Sequence, residues 1–382
     1  MLGPSLLGRV APKVALYLLP GSVAPHLNVL AQVGVILFMF VVGIELDTDA
    51  LSSRTRSSVA ISHASIVAPF LLGASLALWL YPRVSSQDVP FTYFALFMGV
   101  SMSVTAFPVL ARILTDRRLH RTRLGAMALA CAAVDDVTAW CLLAFVVGIV
   151  HARPGGVLIT LGLTAGYVAF MLTAGRWVVR KAVAWRDRQP SLGNPLLTSI
   201  FVALLASALA TEAIGIHALF GAFLLGALIP HDSTLAREVR HTIESLVVLL
   251  LLPAFFAFTG MRTQIALVSG ASAWGMCALI IAVACAGKFG GTAVAARITG
   301  LSWRDAGALG VLMNTRGLME LIVLNIGMDL RVISPTLFAM LVIMALVTTL
   351  ATAPLLHVFL RGSRSAESQA GETSGAPLTS ES

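Results

Sequence analysis

The run "ACAAVDDVTAWCLL" (Ala130–Leu143) places two carboxylates, Asp135 and Asp136, side by side near the middle of an apolar stretch from Leu124 to Val150. Whether that stretch lies in water or in lipid decides the fold. The composition settles it. The chain is 58% hydrophobic and 12% charged, with a mean hydropathy of +0.90, where a soluble domain carries about 25% charged residues. Apolar runs recur along the whole chain, each long enough to cross a hydrocarbon core of about 30 Å as a helix. They predict an all-α polytopic membrane protein with eleven spans, over about 28–46, 58–81, 92–114, 124–150, 155–183, 195–212, 214–230, 243–261, 272–297, 304–328 and 333–360. The boundary between 195–212 and 214–230 rests on "TEAIGIH" (Thr211–His217), a short polar break with one glycine.

The formal net charge of +8 is a matter of distribution, not of nucleic-acid binding. Of the 26 lysines and arginines, Lys288 and Arg316 fall inside spans, eighteen fall on one set of alternate loops, and six fall on the other set and the N-terminal segment. The positive-inside rule then puts the C-terminus in the cytoplasm and residue 1 outside. "RRLHRTR" (Arg117–Arg123) reads first as a topology signal and second as a contact for anionic lipid. The four cysteines all fall inside spans and form no CxxC, so they read as small packing residues. Residues 362–382 are polar and serine-rich without apolar periodicity, as in a disordered cytoplasmic tail. No G-x-G-x-x-G follows a predicted strand, and no cofactor is expected.

A charged residue at the bilayer centre costs about 2.5–3.5 kcal/mol on insertion scales, and adjacent like charges repel. A buried Asp135–Asp136 pair is therefore tolerated only beside a cation, a proton or water; the plainer alternative is a polar pair that merely ties helices together. Lys288 lies within 272–297 in "ACAGKFGGTA" (Ala284–Ala293). It can snorkel to the interface, but it sits nine residues from the nearer end of the span. Gly287, Gly290 and Gly291 around it let another backbone approach. Arg316 and Glu320, in "MNTRGLMELI" (Met313–Ile322), are spaced to pair on one helix face, either as a structural pair or in support of a site. His217 reads as the polar end of a span.

Two spans carry marks of broken helices. "GVSMSVTAFPVLARIL" (Gly99–Leu114) sets Ser101, Ser103 and Thr105 just before Pro108, which removes a backbone donor. The other break sets Asn314, Thr315 and Gly317 at a similar depth. Unwound backbone inside a membrane is tolerated only where protein or a wet cavity satisfies it, and half-helix ends make ion sites. Each interrupted span is the middle one of a triplet, 58–81 to 124–150 and 272–297 to 333–360. By the loop charges the two triplets start on opposite sides. Two triplets of opposite orientation are the pattern of an inverted-repeat secondary transporter.

On these residues the chain resembles the monovalent cation/proton antiporter superfamily, in the branch of bacterial Kef-type and plant CHX-type exchangers. The matching stretches are "LFMFVVGIELD" (Leu37–Asp47), "SVTAFPVLARIL" (Ser103–Leu114), "AAVDDVTAW" (Ala132–Trp140), "GIHALFGAFLLGALIP" (Gly215–Pro230), "GKFGGT" (Gly287–Thr292) and "MNTRGLMELIVLNIG" (Met313–Gly327). The resemblance implies a six-helix core (58–150 and 272–360) with two crossed, broken helices, a dimer-forming scaffold (28–46 and 155–261), homodimerisation and elevator-like alternating access. It implies that 1–361 form one membrane transporter domain exchanging Na+ or K+ for H+ across the cell membrane. Asp136 then matches the essential acid that binds the transported cation and the proton. Asp135, the acid typical of electrogenic members, and Thr105 of the crossed-helix segment are expected to join it as ion- and proton-binding residues, with Lys288 as the basic, charge-coupling partner of Asp135 and Ser103, Asn314, Arg316 and Glu320 as supporting residues. Members of the superfamily usually carry about two further helices before "LGPSLLG" (Leu2–Gly8), which here opens the chain. The competing expectation is thus a shortened, non-transporting paralogue serving as a partner or sensor. An enzyme is not expected: there is no HExxH, GxSxG or Cys/His metal set. Two adjacent acids also point about 100° apart on one helix, not toward each other.

Overall fold

The computed structural model describes residues 20–46, 56–86, 88–119, 122–151, 157–188 and 194–360, with isolated positions before residue 20. The tail at 362–382 lies outside them. Every regular element among the described residues is helical. In chain order they are α1 (Ala24–Glu45), α2 (Arg56–Val84), α3 (Phe91–Ser103), α4 (Phe107–Asp116), α5 (Arg123–His151), α6 (Val157–Phe170) and α7 (Arg176–Arg186). There follow α8 (Asn194–Ile214), α9 (Ala218–Leu228), α10 (Thr234–Leu246), α11 (Leu252–Arg262), α12 (Gly270–Cys285), α13 (Gly291–Ile298), α14 (Trp303–Met313), α15 (Leu318–Asp329) and α16 (Pro335–Leu360). Single π-helical turns at Met171–Gly175, Val247–Leu251 and Ala286–Gly290 join α6 to α7, α10 to α11 and α12 to α13.

Among the described residues, nine spans are long and apolar enough to cross a bilayer, one of them the interrupted α3–α4, and α14 with α15, bent by 46°, make a tenth. Each matches one of the expected runs. The run at 214–230 is different. Its helix α9 has only eleven residues, about 16 Å at 1.5 Å per residue, and extended backbone at His217 and Ile229 continues it at both ends. With those ends the run reaches from the cavity lined by Asn28 and His217 to the one lined by Glu45 and His231, alongside α1. It is buried against α1, where a Cβ on Gly226 would fall 2.2 Å from the Phe40 carbonyl oxygen. The break before it is the one expected from "TEAIGIH": α8 ends at Ile214 and Gly215 turns the chain at φ 97°, a conformation that favours glycine. The run at 243–261 is likewise part of a longer helix. α10 begins at Thr234, capped by the Ser233 hydroxyl on the Ala236 N–H, because its polar first turns are still helical.

The usual surface rule is inverted. Leu158, Leu209, Leu249 and Leu350 are exposed, while Ser62, Ser65, Thr105, Asp135, Lys288 and Glu320 are fully buried. That is how a chain solvated by lipid arranges itself: apolar side chains outward, polar groups paired within.

Both interrupted spans are broken as their residues require. α3 stops at Ser103, Val104 is extended, and α4 begins with Pro108 in its first turn, where the missing N–H costs nothing. α14 stops at Met313 and α15 begins at Leu318. The two breaks cross in contact. The Ala106 N–H donates to the Thr315 carbonyl at 3.0 Å, and Thr105 Oγ1 donates to the Met313 carbonyl at 3.2 Å. Gly317 permits the approach, since a Cβ there would lie 2.7 Å from Val109 Cγ2. Close approach recurs at the Lys288 turn, where α2 packs against Gly287 through Pro69 and against Gly291 through Ala64 and Ala68; Gly290 faces open space.

Candidate functional site

Asp135 and Asp136 project from the middle of α5 into different surroundings. The Asp135 carboxylate is enclosed by donors from three directions. Lys288 Nζ lies 2.8 Å from Oδ2, and both side chains are fully buried. Thr105 Oγ1, in the first helix break, donates to Oδ2 at 2.9 Å. From α2, Ser62 Oγ donates to Oδ1 at 2.6 Å, and Ser65 Oγ lies 2.8 Å from Oδ1 and 2.6 Å from Oδ2. Lys288 also donates to the Ser103 carbonyl at the C-terminal end of α3, where unpaired carbonyls favour a cation. The π-turn at 286–290 carries Lys288, and such turns displace one side chain from the regular helical ladder.

Asp136 is only 4% exposed yet differently placed. It accepts from the Phe107 N–H, the first residue of α4, so the positive end of a half-helix points at it. Among the described residues its Oδ1 has no hydrogen-bond partner. Asp136 lines a cavity of about 270 Å³ together with Val42, Glu45, Phe107, Ala133 and Phe223. Glu45 and Phe107 also line a neighbouring cavity that continues to His231, Arg237 and Arg240. A buried carboxylate oxygen with unused lone pairs, open to a cavity and backed by a helix N-terminus, can accept either a proton or a bare monovalent cation.

Thr105 bonds Asp135 and is not among the residues lining the Asp136 cavity. Arg316 and Glu320 pair at 3.0 Å, both fully buried. The Arg316 guanidinium also donates to the Ser101 and Met102 carbonyls at 2.8 and 2.7 Å. It thus ties the second broken span to the end of the first half-helix. Asn314 Nδ2 contacts Cys285 Sγ at 3.4 Å. No hydrogen bond joins Asn314, Arg316 or Glu320 to either aspartate among the described contacts. Ser103 contributes its carbonyl to Lys288, while its hydroxyl donates to the Gly99 and Ile66 carbonyls. Ser62 and Ser65 were not among the expected site residues. Their signal was the spacing of Ser58, Ser62 and Ser65 along one face of an apolar helix.

Residues 1–361 match the family of the sodium/hydrogen exchanger transmembrane region. The chain belongs to the sodium/hydrogen exchanger family. Among relatives of this chain, the Na(+)/H(+) antiporter NhaS4 of Synechocystis is 43% identical over 358 residues, 93% of this chain and 87% of that one. Cation/H(+) antiporter 18 of Arabidopsis thaliana is 39% identical over 97% of this chain and 46% of its own length. K(+)/H(+) antiporter 1 of Saccharomyces cerevisiae is 34% identical over 93% of this chain and 42% of its own. The chain therefore spans under half the length of these plant and yeast relatives. In fold it is similar to the sodium proton antiporter MjNhaP1 of Methanocaldococcus jannaschii, with a TM-score of 0.57 at 13% identity over 95% of this chain and 89% of that one. That likeness carries the antiporter fold.

Proposed function

We propose that the protein is a secondary antiporter exchanging Na+ or K+ for protons across the cell membrane, with Asp136 as the shared cation- and proton-binding group. The observation that carries this reading is the unpartnered Asp136 Oδ1, open to a cavity beside a fully buried Asp135–Lys288 pair. The relatives, antiporters by name, support it.

The exchange runs as follows. In the empty states Lys288 holds Asp135, and Asp136 carries a proton. A cation enters through the cavity and replaces that proton on Asp136. Its charge draws Asp135 away from Lys288, and the unpaired Lys288 releases its own proton. Two protons leave for each cation bound, so the cycle moves net charge and responds to the membrane potential. On the other face the sequence runs in reverse.

Access alternates by movement of the core (58–150 and 272–360) against the scaffold (28–46 and 155–261), and the scaffold pairs two copies. The two ends of α1 support an inward-facing arrangement. At its C-terminal end the Asp136 cavity is lined by Val42, Glu45 and Leu46, on the side of the first turns of α10, whose Arg237 and Arg240 the positive-inside rule places in the cytoplasm. At its N-terminal end a separate cavity of about 560 Å³, lined by Asn28, Gln32, Asn325 and Asp329, does not include Asp136. There Arg262 of α11 joins Asp329 at 2.8 Å and Asn325 at 3.1 Å on α15.

The test is cation-induced dequenching of a pH dye in everted vesicles. The wild type is expected to respond to Na+ or K+, and Asp136→Asn, at equal expression, to give none. Full exchange by Asp136→Asn defeats the assignment.

A further inference from the structure

The Asp135 carboxylate carries more donors than an ion pair needs. Lys288 and Thr105 supply two of them, both on Oδ2. The other two, Ser62 and Ser65, come from α2 and are fully buried. Membrane-helix hydroxyls ordinarily bond back to the carbonyl one turn earlier, as Thr138, Thr164 and Ser199 do here. Ser62 does not: its hydroxyl donates across to Asp135 Oδ1 at 2.6 Å. Ser65 Oγ has three acceptors within reach, the Ser62 carbonyl at 2.9 Å and both Asp135 oxygens, for a single proton. It can follow the carboxylate by turning about its own bond. α2 is held in place for this by the packing of Ala64, Ala68 and Pro69 onto Gly287 and Gly291, either side of Lys288.

We infer that Ser62 and Ser65 are positioning residues of the exchange: they are the partners that keep Asp135 satisfied whenever Lys288 lets it go. This rests on the antiport cycle proposed above, in which the Asp135–Lys288 pair must open once per turnover. A fully buried carboxylate stripped of its counter-charge is too unstable to be visited unless other donors remain on it. Lys288 and Thr105 both bond Oδ2, and Thr105 also has the Met313 carbonyl within reach. Among the described residues, Oδ1 accepts from the two serines alone. They turn the opening of the pair from the stranding of a charge into the exchange of one partner among several.

Two measurements on the full chain test this. In liposomes, the Ser62→Ala/Ser65→Ala variant is expected to raise the KM for the cation about tenfold or more, as for lost hydrogen bonds to a charged group, with a smaller change in kcat. Ser62→Thr/Ser65→Thr, which keeps both hydroxyls, is expected to restore the KM. An unchanged KM overturns the inference, as does a Thr variant no better than the Ala one. The second measurement needs no transport. The fall in melting temperature caused by the two Ser→Ala changes is compared in three backgrounds. It is expected to be larger with Lys288→Ala than in the wild type, because the serines then hold Asp135 without Lys288. It is expected to vanish with Lys288→Ala/Asp135→Asn, where no carboxylate remains. Equal falls in all three backgrounds assign the serines to packing and overturn the inference. Absence of exchange by the wild type itself defeats the transport reading instead, and the melting comparison then decides the serines' hold on Asp135 by itself.

Discussion

Lys288→Ala leaves the Asp135 carboxylate buried without its cation. Breaking a buried pair in this way costs about 3–5 kcal/mol, whereas removing both partners is far less harmful. The remaining hydroxyl donors from Ser62, Ser65 and Thr105 hold the loss to the low end of that range. Lys288→Ala is therefore expected to melt lower than Lys288→Ala/Asp135→Asn when the purified variants are compared; a double variant no more stable than the single removes the pair from the account. Asp135, Asp136 and Lys288 stood out in the sequence because a charge in an apolar run has no cheap explanation. Ser62 and Ser65 did not stand out. A serine in a membrane helix satisfies itself on its own backbone, so nothing in its identity says whether it reaches across to another helix. Arg316 was legible as a partner of Glu320 from their spacing, but its grip on the Ser101 and Met102 carbonyls depends on how two distant spans cross.

The same division holds for the elements. A membrane span must be long, apolar and helical to satisfy its backbone in lipid, so the spans could be read from hydropathy. The breaks at 104–106 and 314–317 could be read from Pro108 and from the Asn314–Gly317 run. The shortness of α9 could not. The helix packs closely on α1 and α8 through glycine, with Cβ positions on Gly221 and Gly226 falling 2.2 Å from the Ser207 and Phe40 carbonyl oxygens, and its ends lie at the extended residues His217 and Ile229. Nor could the contact between the two breaks, which depends on the absence of a side chain at Gly317. Gly317→Ala places a methyl group against Val109 Cγ2 and is expected to lower both exchange and melting temperature, since overpacking of a tight contact costs about 1–3 kcal/mol. Val109→Ala in the same chain makes room and is expected to recover much of both losses. If Gly317→Ala exchanges and melts as the wild type does, the crossing is looser than its geometry states.

For the whole molecule, the distribution of basic loops sets the orientation. Eighteen lysines and arginines on one face against six on the other predict a cytoplasmic C-terminus. A C-terminal reporter that fluoresces only in the cytoplasm is expected to be bright; a dark reporter means that the side of the Asp136 cavity has been assigned the wrong way round. In the proposed cycle the acids divide the work: Asp136 takes the ion, and Asp135 couples it to Lys288. The division predicts that about two protons move against each cation, so that each turnover carries net charge worth about 2.3 kcal/mol per elementary charge per 100 mV. The most direct test is Na+ movement into liposomes holding the purified protein, with the potential clamped by a potassium gradient and valinomycin. The account predicts that the imposed potential drives or opposes Na+ movement in the wild type, and that Asp135→Asn loses that response. A wild-type rate and final Na+ gradient indifferent to the potential contradict it.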